Sequence, residues 1–312
     1  MLKNLKHWKE QYIGKIEPSL NTRLVWSLIA LVSAADIVGL KAEGMRFVPH
    51  DFLTDAAAIV VLLTLSVIYT YLRPSVRIAE MTHIAAVFLA FAAVSATASY
   101  LIVGWHRPLV DAYLAATDRA LGFDWLASYK WIMARPLIHQ VLYVAYSTII
   151  GQMIFLLLFL NFRGRYARSW EMIWLFMIAT MVSVLCSGLW PATGAFGYYH
   201  VEADRPYVKA FMTLYNGTLR VIGDTRVQGI IQFPSLHMAL GIFLIYVTRG
   251  MPILFLTFLE INILLIISTP AIGGHHYADL WGGLALAVVT ILVVRKAFAA
   301  GLMRDTDKGA SL

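Results

Sequence analysis

The sequence predicts an all-α polytopic membrane protein of about eight transmembrane helices, and three observations carry that expectation. Of the 312 residues, 60% are hydrophobic and only 14% are charged, with a mean hydropathy of +0.71, which is too apolar for a soluble domain. Near-continuous apolar runs lie at approximately 24–41, 55–72, 84–104, 137–161, 173–190, 236–249, 251–269 and 279–299. A run of this kind can cross roughly 30 Å of hydrocarbon as a helix; the sixth is short as written, and Phe233 and Leu236 extend it. Finally, the Lys and Arg residues behind the formal charge of +7 sit mostly between the runs, where membrane topology explains them better than nucleic acid does.

Taken in order, residues 1–23 carry Lys3, Lys6, Lys9, Lys15 and Arg23 in a partly amphipathic stretch expected to lie along the membrane surface. The first 20 residues have no apolar core of signal-peptide type, so no cleavable signal is expected. Neither a solenoid repeat nor a low-complexity linker divides the chain, so residues 1–312 read as one integral membrane domain. The single cysteine, Cys186, sits inside an apolar run and reads as packing. Asp36 and Glu260, also inside runs, read as polar helix-to-helix contacts rather than a proton path.

Basic residues orient the chain. With a cytoplasmic N-terminus the inner segments hold 15 of the 25 Lys and Arg residues, including Arg163, Arg165 and Arg168 in one short loop. The longer segments, 105–136 and 191–235, then face outward, and the basic surplus of the second needs a local reason, an anionic ligand being one candidate. In the first, Val110, Leu114, Thr117 and Leu121 recur at helical spacing opposite Asp111 and Asp118. An interfacial amphipathic helix is expected there, with Trp125 and Trp131 at headgroup depth, acting either as a lid or as a substrate contact. The run Trp190–Tyr199 ends the fifth span with Pro and Gly and is expected either to join an aromatic interface belt or to line a headgroup pocket.

Two short polar clusters carry the chemistry. Pro234-Ser235-Leu236-His237 opens the sixth span, and Gly273-Gly274-His275-His276-Tyr277-Ala278-Asp279 opens the eighth. One apolar segment lies between them, so both clusters emerge on the same face. Pro234 suits the first turn of a helix, whose free N–H groups and positive dipole end favour an anion such as phosphate; Ser235 can add a hydroxyl donor. His237 can donate or accept a proton near neutral pH. His275 and Asp279, four apart, would lie one above the other on a helix, the carboxylate fixing the imidazole tautomer and leaving the other nitrogen to attack an electrophile. His276 lacks that spacing and reads as structural or as a substrate-edge residue. By residue type His237, His275, His276 and Asp279 could also hold a metal, although the spacing favours phosphoryl transfer through a phosphohistidine, for which neither metal nor cofactor is expected.

These residues resemble a known family. PSLH, and H-x-x-x-D followed by LWGG, are similar to the second and third signature motifs, PSGH and SR-x5-H-x3-D, of the type 2 phosphatidic acid phosphatase (PAP2) superfamily. The resemblance implies a six-helix PAP2-like core over about 84–299, preceded by two extra helices within 1–83. It also implies His275 as nucleophile, His237 as acid/base and Asp279 as the partner of His275. Ser268 matches the serine of the third motif, but Thr269 replaces its arginine. The first motif, K-x6-RP, is absent: seven positions before Arg73, Arg107, Arg135 and Arg205 stand Ser66, Tyr100, Ser128 and Tyr198. PSLH and the stretch before it look most like the inositol phosphorylceramide synthase branch, which implies Arg220, with Arg226 second, as phosphate-binding cations.

The leading expectation is therefore an extracytoplasmic lipid phosphotransferase that takes a phosphoryl or phospho-headgroup from a phospholipid and passes it to a lipid alcohol. A lipid phosphate phosphatase that uses water shares every residue named. A lipid or ion transporter or scramblase is the reading from another class. Partners are membrane lipids and not nucleic acid, and the expected location is a bacterial inner membrane with the site toward the periplasm.

Overall fold

The computed structural model describes residues 19–201, 205–219, 221–222 and 229–302. Most of the expected N-terminal surface stretch, and both Arg220 and Arg226, lie outside the described residues. The chain runs through helices α1 (Leu20–Ala42), α2 (Pro49–Val67, extended by a π turn, Ile68–Leu72), α3 (Val76–Val103), α4 (Asp111–Ala120), α5 (Trp125–Met133), α6 (Pro136–Ser147) and α7 (Ile149–Phe162). It continues through α8 (Tyr166–Leu189), α9 (Gly194–Tyr198), α10 (Pro206–Tyr215), α11 (Leu236–Val247), α12 (Pro252–Gly273) and α13 (Tyr277–Ala299).

All eight apolar runs are helical, and the fold is that of an all-α polytopic membrane protein. Among the described residues six helices are long and apolar enough to cross a membrane: α1, α2 with its turn, α3, α8, α12 and α13. The fourth run is two helices, α6 and α7, meeting at 43°. The sixth, α11, has only 12 residues. One short parallel ladder pairs β1 (Arg46–Phe47) with β2 (Val221–Ile222), tying the α1–α2 loop to the segment ahead of α11.

Two helices begin earlier than hydropathy suggests, because tertiary partners satisfy their polar first turns. In α3, which starts at Val76 rather than near 84, Glu80 accepts the Trp170 indole N–H (3.3 Å) and His83 Nε2 accepts that of Trp26 (3.1 Å). In α8, Ser169 accepts from the Asn161 amide (2.8 Å) and Glu171 pairs with Arg249. A buried polar group that is fully bonded does not interrupt a helix.

Short α11 lies at the centre, packed against α7, α8, α12 and α13. Phe243 and Leu244 of α11, Ile173 and Leu175 of α8, Leu265 of α12 and Ala287 of α13 are buried in one continuous core. Outside it, α1 and α2 each pack on α3, and no residue in the apolar window of α2 is buried. Asp36 is buried on α1, in keeping with a helix-to-helix contact. Glu260 is exposed on α12, so the same expectation fails for it.

Candidate active site

At the end of α12 the chain reverses. Gly274 takes a left-handed conformation (φ 71°) that only glycine adopts freely, and it stops the helix. A Cβ there would strike the Tyr207 hydroxyl and the Phe196 ring, and one at Gly273 would lie 2.7 Å from the Tyr146 hydroxyl. The Gly274 carbonyl accepts from Ala195 N–H (2.6 Å). Both glycines therefore permit the close approach expected of them.

His275 is not on a helix, contrary to expectation, since α13 starts at Tyr277. The pair forms because Asp279, in the first turn of α13, reaches back past the helix start. Its Oδ2 lies 3.2 Å from His275 Nδ1 and also accepts His276 N–H (2.9 Å), an N-terminal capping geometry in place of a helical i,i+4 contact. His275 is 2% exposed and Asp279 fully buried.

The other cluster is joined to this turn through the backbone. Ser235 N–H donates to the Asp279 carbonyl (3.0 Å), and Ser235 Oγ caps α11 by accepting from Met238 N–H (3.4 Å). Pro234 thus precedes the cap instead of standing in the first turn. Gly283 of LWGG lets α13 lie directly on the Ser235 carbonyl, a contact that any Cβ would overlap. His237 and His275 meet with ring centroids 6.0 Å apart, and Tyr146 stacks on the far side of His237 at 4.5 Å.

A third element completes the site. On α4 the face turned inward is the one bearing the aspartates: Asp111, Leu114, Ala115 and Asp118 are buried, whereas Leu121 is 54% exposed. Asp118 accepts the N–H groups of Tyr277 (3.0 Å) and Ala278 (2.7 Å), the first two of α13. Asp111 accepts Thr193 N–H (2.9 Å). Between them lies the fully buried His276, with Nε2 3.4 Å from Asp111 and Nδ1 3.5 Å from Asp118, distances of ion pairs rather than short hydrogen bonds. Trp125, expected at headgroup depth, is instead buried and donates its indole N–H to the His275 carbonyl (3.0 Å). Trp131 stays on the surface under the Arg135 guanidinium. Rings from 190–199 line the site, Tyr198 and Tyr199 standing 5.8 and 6.2 Å from His276.

With this geometry in hand, the sequence model of the PAP2 superfamily matches residues 112–293, more than half of the chain. The chain belongs to the PAP2 superfamily. No curated protein and no solved structure matches it. Membership makes the chain a membrane lipid enzyme of the phosphatase and phosphotransferase type, and the matched range takes in α5 to α12 with nearly all of α4 and most of α13. The span of α3, expected inside the family core, lies ahead of the matched range.

Electrostatics separate the roles of the two adjacent histidines in this PAP2 site. Burial works against a charge on His276, but the flanking Asp111 and Asp118 outweigh it and hold its pKa up at about 9. His276 is thus the cation of an aspartate–imidazolium–aspartate clamp that fastens α4 to the Gly274–His276 turn. The Tyr207 phenol is pushed well above its ordinary value by burial, with nearby Arg205 opposing, and stays a neutral donor. Its hydroxyl, Gln232 Oε1 and Asp279 Oδ1 are buried without hydrogen-bond partners among the described residues. Besides Arg119, which hydrogen-bonds Tyr199, the described site holds Arg205, which caps α10 with its guanidinium 5.2 Å from the Phe196 ring centroid. Sequence offered a signal for it: Arg205-Pro206 keeps the end of the first PAP2 motif, with Tyr198 where the lysine would stand. The spacing of Asp111 and Asp118 was likewise legible as one helical face, although not which way it turned.

Proposed function

We propose that this protein is an extracytoplasmic phosphotransferase that moves a phosphoryl or phospho-headgroup from a phospholipid to a lipid alcohol through a phosphohistidine. The observation that carries the reading is the His275–Asp279 contact at 3.2 Å, with the His237 ring 6.0 Å away across the site. Asp279 holds the Nδ1 proton, so Nε2 of His275 is the nucleophile. It attacks phosphorus, the P–O bond to the departing group breaks, and His237 gives that oxygen a proton. In the second half the acceptor hydroxyl passes its proton to His237, its oxygen attacks phosphorus, and the bond to His275 breaks.

Ser235 shapes this site by capping α11. His276 and its aspartates hold the turn, and Arg205 supplies positive charge for the phosphate. Arg220 and Arg226, on the segment before α11, are proposed as further phosphate contacts. The near-complete burial of His275 and Asp279, walled by Trp125, Phe196 and Tyr199, favours a lipid acceptor over bulk water, as does the resemblance to inositol phosphorylceramide synthases. A phosphatase on phosphatidic acid or a polyprenyl diphosphate, with water as acceptor, is the second reading. The Arg163, Arg165 and Arg168 loop supports an outward-facing site, which in a bacterial inner membrane would be periplasmic.

The test offers detergent-purified protein phosphatidic acid, a polyprenyl diphosphate or phosphatidylinositol, each with and without diacylglycerol or ceramide. A new phospholipid formed only with acceptor, and lost in His275→Ala, is the expected result. Phosphate release without acceptor would replace transferase by phosphatase, and turnover independent of His275 would remove the phosphohistidine.

A further inference from the structure

Helices α8, α11 and α13 converge again at the ends remote from the catalytic turns, around an open pocket of about 400 Å³. It is lined by Arg168, Glu171, Arg249, Arg295, Phe298 and Ala167, among others. Three guanidinium groups thus face one carboxylate, and that carboxylate is already engaged. Glu171 receives Arg249 Nη2 on both oxygens at 2.7 Å, accepts the Tyr246 hydroxyl (2.9 Å) and has Arg168 Nε at 3.6 Å. Arg168 also donates to the carbonyls of Val247 (2.9 Å) and Arg249 (3.0 Å), so two of the arginines are fixed in place by the end of α11.

Arg295 acts on that network only through its charge near Tyr246. It is exposed on the last turns of α13 and has no ion pair among the described residues. From Asp279 to Arg295 the helix rises about 24 Å, which separates this pocket from the catalytic one. Arg163 and Arg165 lie just before α8 and add to the positive field.

We infer that this pocket is a second binding site, for a phosphate-bearing anion, on the membrane face opposite the catalytic turns. Two held guanidiniums and a third at the rim offer the planar donor forks that phosphate oxygens accept. Phe298 and Ala167 give the pocket an apolar side, so the same chemistry suits the headgroup of an anionic phospholipid or a free phosphate. The ion pairs of Glu171 by themselves would only join helix ends, and they account for neither the surplus of cations nor the position of Arg295.

The experiment uses the full chain in detergent, with native mass spectrometry against dioleoyl-phosphatidylglycerol and dioleoyl-phosphatidylcholine and thermal shift against inorganic phosphate. One phosphatidylglycerol is expected to be retained in preference to phosphatidylcholine. Arg295→Gln should weaken that retention about tenfold, the effect of one lost charge-assisted contact. Arg205→Gln, at the catalytic end, should leave it unchanged. A phosphate-induced thermal shift that Arg295→Gln abolishes, without lipid retention, would support the site and identify its ligand as soluble. No preference for either anion, or retention lost in Arg205→Gln and kept in Arg295→Gln, would overturn the inference.

Discussion

At one end α11 and α13 enclose imidazoles and carboxylates of which His275, His276 and Asp279 are 0–2% exposed, whereas at their other ends the same helices hold arginines around an open pocket. The buried cluster has almost no solvent exposure and relies on protein groups to match its charges, so α4 has to bring Asp111 and Asp118 from far along the chain. At the arginine end water screens the charges, and the pocket is assembled from residues at the helix ends themselves. The closed end should therefore respond sharply to single substitutions and the open end weakly.

The largest expected effect is on chemistry. His275→Ala removes the proposed nucleophile and should lower turnover by at least about 10³-fold with the fold retained, measured as phospholipid product against circular dichroism. Asp118→Asn comes next, since it leaves His276 with one carboxylate and α13 with a weaker cap. A loss of about 3–5 kcal/mol is expected for breaking a buried ion pair, read as a fall in the thermal midpoint; an unchanged midpoint would mean that the clamp does not hold α4. Gly283→Ala forces a methyl against the Ser235 carbonyl and should cost about 1–3 kcal/mol, with activity falling because His237 moves with α11.

A pH series probes the clamp more gently. The folded pKa of His276, about 9, lies above the ordinary imidazole value of 6.5, so its stabilisation is complete below pH 6.5 and is lost as pH rises through 9. The thermal midpoint of the wild-type protein should fall between pH 7 and 10 more than that of His276→Gln. An equal fall in the two proteins would assign the charge elsewhere. Arg295→Gln should be the mildest change, with stability within about 0.5 kcal/mol of wild type and catalysis unaltered.

The helices and the meeting of His275 with Asp279 were legible because each is written locally. Apolar runs of span length predict helices, and PSLH and H-x-x-x-D place His237, His275 and Asp279 on one face. Hydropathy failed at the starts of α3 and α8, where Glu80 and Ser169 are satisfied by partners distant in the chain or in a neighbouring helix. It also misplaced the aspartates of α4, which share the buried face with Leu114 while Leu121 is left outside. Here the N–H groups at the start of α13 and the His276 imidazole make the carboxylate side the one worth enclosing, and neither can be recognised before the turn at Gly274 is known. Trp125 was misplaced for the same reason, its hydrogen-bond partner lying 150 residues away.

The brevity of α11 has a consequence for how substrate arrives. Twelve residues rise about 18 Å, against about 30 Å for the hydrocarbon layer. With Arg249 anchored at the level of one set of headgroups, His237 would stand about 12 Å short of the opposite hydrocarbon boundary, among the acyl chains. A substrate would then not have to be lifted from the bilayer: it could glide in sideways and let its phosphate sink to the histidines, so that lateral access between helices, rather than a mouth open to solvent, would govern the rate of entry.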